Sequence, residues 1–148
     1  MKTFIVASAV LLLFSCQTEV KKSENIYFSE IVEIKEHPGK KLMETNCYVC
    51  HSPSADHDKR IAPPMIAIKN HYISKNTTKE EFKKALLNWI NNPSKENSKM
   101  KGAIKKFGIM PKTPFSEETI LLIADYMFDN KIDKPKWFKN HQKMMKKG

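Results

Sequence analysis

The chain is 148 residues long, which allows one domain. Lysine and arginine number 26 against 16 acidic residues, a formal net charge of +10, so an acidic protein, anionic lipid or nucleic acid would suit it as partner. Three cysteines are too few for a four-thiolate zinc site.

Lys2 supplies an early positive charge, and Phe4 to Phe14 is an eleven-residue stretch that is apolar except for Ser8. That length falls short of a bilayer span and suits the apolar region of a signal peptide. It ends in Leu13-Phe14-Ser15-Cys16, which resembles the lipobox of bacterial lipoproteins, with Phe14 bulkier than usual at its position. The resemblance implies residues 1–15 as a signal peptide and lipidation of the Cys16 thiol. The alternative is an ordinary secretory signal with an incidental cysteine. No later segment is apolar enough to span a membrane. The expectation is an exported lipoprotein, held to the membrane by its N-terminal lipid and facing the periplasm. Such a protein rarely meets nucleic acid, so the basic balance points to an acidic protein or anionic lipid.

Residues 16–37 read as a lipidated tether and linker. Gln17 to Asn25 is polar, and the apolar residues among 26–34 suit either a short strand or a segment laid on the domain surface. A helix begins near Pro38, a residue suited to a first turn, and runs into Cys47-Tyr48-Val49-Cys50-His51. Two thiols three positions apart, followed at once by an imidazole, match the covalent attachment site of haem c. Each thiol adds across one vinyl group on the same porphyrin edge, so the sulfurs must stand about one helical turn apart. The next residue then falls under the iron, where a neutral imidazole nitrogen binds it. A zinc site of two cysteines and two histidines would need spaced histidines, and His51, His57 and His71 lack finger spacing. A thioredoxin-like dithiol would need a strand before it, and helical pattern precedes this pair. In an oxidising exterior, Cys47 and Cys50 form a disulfide unless haem captures them.

Residues 52–76, with Pro53, Pro63 and Pro64, read as loop with at most a short helix near Met65 to Asn70. Thr77 and Thr78 precede Glu80 and Glu81 at capping-box spacing. Phe82, Ala85, Leu86, Trp89 and Ile90 then recur at helical spacing until Pro93. Residues 93–115 are lysine-rich, carry Gly102, Gly108, Pro111 and Pro114, and read as mostly loop. Ser116 with Glu117 and Glu118 starts a last helix bearing Ile120, Leu121, Ile123, Ala124, Met127 and Phe128. Residues 134–148 form a basic tail with six lysines and no acid. Trp137, Phe138, Met144 and Met145 can share one face there, for docking on an anionic membrane or an acidic partner. The alternative packs Trp137 and Phe138 on the domain and leaves the end frayed.

From Pro38 to Lys131 the order of these features resembles a class I monohaem cytochrome c. Gly39, the haem motif, Ala62-Pro63, a Trp-bearing helix, Met110-Pro111 and a final helix with Tyr126 follow one another as in that family. The resemblance implies an all-α fold, three to four helices wrapped around one covalent haem c, over residues 38–133. It implies a crossing of the first and last helices at Gly39, against the aromatic Tyr126, because glycine lacks a Cβ. Met43 stands where the family has an aromatic, and Ala62 where it has glycine. The resemblance assigns Cys47 and Cys50 to haem attachment, His51 and Met110 to the iron, and the Pro63 carbonyl to the outward nitrogen of His51. Met100 is the rival sixth ligand. Met65 reads as haem packing, Met127 as core, and His57, His71 and His141 as surface histidines. Trp89 either reaches a propionate or packs as an apolar wall. Leu42, Ile61, Met65, Ile68, Leu86, Ile90, Ile104, Phe107, Phe115 and Ile123 are expected around the macrocycle.

The function expected is electron transfer, cycling one iron between Fe(III) and Fe(II) in an exported respiratory or redox chain, with no small-molecule substrate. Lys59, Arg60, Lys105, Lys106 and Lys112 are placed to steer an acidic redox partner. Three other readings stand beside it: a haem enzyme or gas sensor with an open sixth position, an accessory haem subunit of a larger complex, and a non-haem lipoprotein with a disulfide. No distal His–Arg arrangement is evident for the first.

Overall fold

The structure is a computed structural model that describes residues 36–145. The expected signal peptide at 1–15, Cys16 and the segment at residues 26–34 lie outside the described residues. Among the described residues six helices follow in order: α1 Pro38–Asn46, α2 Met65–Tyr72, α3 Lys79–Asn91, α4 Lys101–Phe107, α5 Glu117–Asp129 and α6 Phe138–Met145. The architecture is all-helical, with no strand among the described residues. None of these helices is long and apolar enough to cross a membrane.

Each main helix starts where its sequence supplies a cap. His37 Nδ1 accepts the Gly39 N–H at 3.0 Å at the head of α1, whose first residue is Pro38. At α3, Thr78 Oγ1 accepts from Glu81 N at 3.2 Å and Glu81 Oε2 accepts from Thr78 N at 2.8 Å, a complete capping box. Ser116 Oγ accepts from Thr119 N at 3.2 Å and opens α5.

Helix α5 is the centre of the fold. Ile120, Ile123, Ala124 and Met127 recur at helical spacing on it and are all buried. Helices α1 and α3 both pack on α5, and α2 packs on α3. Met43 from α1 and Phe82 and Leu86 from α3 complete the same cluster. Gly39 sets how close α1 comes. A Cβ there would stand 2.0 Å from the Leu122 carbonyl oxygen and 2.8 Å from Tyr126 Cβ. Polar pairs frame the crossing: His37 Nε2 donates to Asp125 at 3.0 Å, and Lys79 forms ion pairs with both Asp125 and Asp129 at 2.7 Å. The Lys79 ammonium holds the Asp125 carboxyl below the usual carboxylate range.

Residues 93–115 are mostly loop, as expected, but they also hold the seven-residue α4; Ala103, Ile104 and Phe107 share one apolar face there, and the lysines and Gly102 around them mask the pattern. The tail is not separate from the domain at residue 133. Pro135 is buried, Phe138 is only 4% exposed, and the Trp137 indole Nε1 donates to the Ala55 carbonyl at 2.9 Å. Of the two readings of the tail, the one that packs Trp137 and Phe138 on the domain holds, while Met144 faces outward. Leu42 packs against the core cluster and does not line the cavity described next.

The helix crossing yields a stability prediction. Gly39→Ala should cost at least ~1–3 kcal/mol, because the methyl meets a backbone carbonyl that cannot swing away. Guanidinium unfolding of the haem-loaded protein measures this, and a wild-type midpoint would mean that the crossing tolerates separation.

Candidate functional site

The turn after α1 gathers the chemistry. Cys47 N donates to Met43 O at 2.8 Å and His51 N donates to Cys47 O at 2.8 Å, so helical bonding runs from α1 through the motif. Cys47, Cys50 and His51 therefore occupy one turn, and all three line a cavity of about 310 Å³. Its other walls are nearly all apolar: Ile61, Met65, Ile68, Leu86, Ile90, Ile104, Phe107, Phe115 and Ile123. Pro63, Trp89 and Met110 line it too.

His51 Nδ1 donates to the Pro63 carbonyl at 2.6 Å. A carbonyl only accepts, so the ring proton sits on Nδ1 and Nε2 keeps its lone pair for a metal. Burial pushes the imidazole pKa below its ordinary value, and the bond to Pro63 works in the opposite sense. The ring is thus neutral near pH 7, the form that ligates iron. Burial, with Cys50 beside it, pushes the Cys47 thiol up to about 11. Cys47 and Cys50 are not joined in a disulfide. Among the described residues no three His, Cys, Asp or Glu side chains come together as metal donors.

The methionines separate by environment. Met110 lies in the extended segment after Gly108, whose φ of 82° turns the chain out of α4. Met100 also lines the cavity, but it precedes α4 as its N-cap and packs on the core cluster. Met65 is 5% exposed at the cavity wall, Met127 is fully buried away from it, and Met144 faces outward. His57, His71 and His141 do not line the cavity. His71 Nδ1 donates to the Ala67 carbonyl at 2.8 Å on its own helix.

The family profile for Cytochrome c matches residues 37–131. The chain belongs to the cytochrome c family. It is a haem c electron-transfer protein, and its cofactor is covalent haem c with its iron. No curated protein and no solved structure matches the chain.

The residues present fit that group. Two thiols and a neutral imidazole share one turn at the edge of an apolar cavity. The Thr113 hydroxyl, also at the cavity, is buried without a hydrogen-bond partner. Such a group costs ~1–3 kcal/mol when unpaired, so a donor here fits a prosthetic group that brings polar acceptors inside.

Sequence reasoning missed three polar wall residues. Thr113 sits in a stretch without periodicity, and only burial reveals it. Tyr72 and Ser98 are buried at the same cavity. Burial pushes the Tyr72 phenol up to about 12, opposed by a hydrogen bond from the Lys99 backbone. The turn at Pro93 and the lysines after it gave no sign that Ser98 turns inward.

Thr113→Val keeps the shape and removes the donor. It should leave haem attached and lower the reduction potential by up to roughly 40 mV, the one-electron equivalent of a hydrogen bond of ~1 kcal/mol. Thr113→Ser should restore it. Protein-film voltammetry on the three forms reads the effect, and identical potentials would remove Thr113 from the site.

Proposed function

We propose that this cytochrome holds its iron between His51 and Met110, with Cys47 and Cys50 as the thioether anchors. It then serves as an exported, membrane-tethered electron carrier. The observation that carries the reading is the shared cavity: both thiols, the neutral His51 ring fixed by Pro63, and Met110 line one apolar space. Bound haem c supplies an iron that accepts and releases one electron, and a thioether ligand favours Fe(II). The chain's own part is to orient His51 through the Pro63 carbonyl, to present Met110 from a segment with no helical role, and to exclude water with its apolar walls. Met110 is favoured over Met100 because Met100 packs its side chain against the core cluster. Trp89 contributes its ring to the wall, whether or not its N–H reaches a propionate.

The cavity edge supports transfer to a protein partner. Ile61 and Ile109 line the cavity yet stand 67% and 45% exposed, which leaves apolar surface at its mouth. Lys59, Lys105, Lys106 and Lys112 are exposed nearby in sequence, and their charge would steer an acidic redox partner onto that edge. Arg60 is half-buried and engaged elsewhere. For the rest of the chain the proposal is a signal peptide at 1–15 and a lipidated tether at 16–37. The lipid on Cys16 would keep the carrier at a periplasmic membrane face, near its partners.

The ligation test is Met110→Ala, read by absorption in both redox states and by mass of the denatured protein. One haem per chain should be retained, the sulfur-to-iron band should vanish, and the ferric iron should bind added imidazole. The potential should fall by on the order of 100 mV, within the ~0.8 V that axial ligands command. Retention of the band would transfer the role to Met100.

The tether is tested separately. Cys16→Ser should move haem-bearing protein from the membrane to the soluble exported fraction. Protein that stays with the membrane through a high-salt wash would rule out the lipid as anchor.

A further inference from the structure

The family match ends at residue 131, yet the chain beyond it is docked. Ile132, Pro135 and Phe138 are buried. Trp137 donates from Nε1 to the Ala55 carbonyl at 2.9 Å, on the loop that follows the cysteine motif. The Arg60 guanidinium carbon lies 4.5 Å from the Trp137 ring centroid and 5.4 Å from that of Phe107. Arg60 also donates to the His57 carbonyl, and the His57 ring meets Trp137 edge-on at 5.0 Å. Arg60 thus contacts one ring from the C-terminal segment and one from α4.

Phe107 is the last residue of α4, lines the cavity, and stands three residues before Met110. The segment between them has little else to hold it. Gly108 N donates to Ile104 O at 2.9 Å, but among the described residues no backbone N–H from 109 to 115 is hydrogen-bonded to the backbone. A segment without regular structure keeps its place only through what its flanks touch.

We propose that residues 132–145 act as a strap: Trp137 fixes Arg60, and Arg60 fixes Phe107 and so positions the segment that carries Met110. Arg60 is a positioning residue here, acting through Phe107. This role needs a planar cation that stacks on rings, which guanidinium provides and ammonium does not. The inference rests on the proposal that Met110 is the sixth ligand, and its test has an arm that does not.

The experiment uses the haem-loaded protein with Trp137→Ala, Arg60→Lys and, as a control, Lys139→Ala, an exposed position on α6. Two quantities are read: the rate at which ferric protein binds cyanide, and hydrogen exchange of the peptide spanning 108–116. Both strap variants should retain haem, bind cyanide roughly 5- to 30-fold faster, and exchange 108–116 faster, while α1 and α5 stay protected. The control should match wild type. Unchanged exchange at 108–116 in both variants overturns the strap. So does faster exchange confined to 55–60 and 134–145, which would make the tail a passenger. A uniform rise that includes α1 and α5 also overturns it, because the segment would then stabilise the whole domain without positioning anything. Failure of the ligation proposal shows differently: Met110→Ala would keep its sulfur band, and exchange at 108–116 in Arg60→Lys would still decide the strap.

Discussion

Everything at the site depends on how closely α1 can lie on α5. The backbone of Gly39 sits where a methyl group would overlap the Leu122 carbonyl. That approach lets Met43, one turn further on, reach the buried cluster with Ile123, Ala124 and Met127. The last carbonyls of α1 then continue into the turn that carries Cys47 and His51, through bonds from Cys47 N to Met43 O and from His51 N to Cys47 O. The position of the haem turn is therefore inherited from the helix crossing. A wider crossing would move both thiols and the imidazole together, away from the walls supplied by α2, α3 and α4.

The core is incomplete as a protein core. Leu86 and Ile123 belong both to the buried cluster and to the cavity wall. Trp89, Ile90 and Ile104 are only half-buried along it. Side chains this apolar are expected to touch other apolar groups on all sides. Here one side faces the cavity, an apolar surface suited to pack against the haem macrocycle. The same logic explains the polar wall residues. Ser98 Oγ accepts from Met100 N at 3.0 Å, and Tyr72 has the Lys99 backbone, but Thr113 has nothing from the protein.

What could be read from the sequence was what is local in it. The cysteine–histidine motif, the Thr78–Glu81 box, the Ser116 cap and the alternation on α5 each lie within a few residues, and chemistry fixes their spacing. Gly39 and Tyr126 are far apart in sequence, and only the family resemblance connected them. Helix α4 was hidden because seven residues offer fewer than two full apolar repeats, and lysines fill the rest of its surface. Arg60 read as one charge among many at the cavity mouth. Its real surroundings come from a tryptophan 77 positions later, a contact that no local pattern announces. Trp137 itself looked equally suited to a membrane, a partner or the domain, since an aromatic ring satisfies all three. Only the acceptor at Ala55, which pairs with its N–H, separates these readings.

The distribution of charge follows from the same architecture. Carboxylates are drawn to the helix crossing, where they have work to do: Asp125 and Asp129 meet Lys79, Asp125 also meets His37, and Glu36 and Glu44 flank Lys40. These side chains remain partly open to solvent, so each pair is worth little in stability. Their larger effect is on the field. With acids neutralised at the crossing, Lys105, Lys106 and Lys112 have no ion-pair partner among the described residues. Those three lysines place unpaired positive charge along the segments that flank Phe107 and Met110. A field of that kind does not tighten a final complex much, but it orients the encounter before contact. Its reach is a Debye length, about 10 Å at 0.1 M salt. The cavity edge, with Ile61 and Ile109 exposed and lysines on the flanking segments, is the face such a field would turn toward an acidic surface.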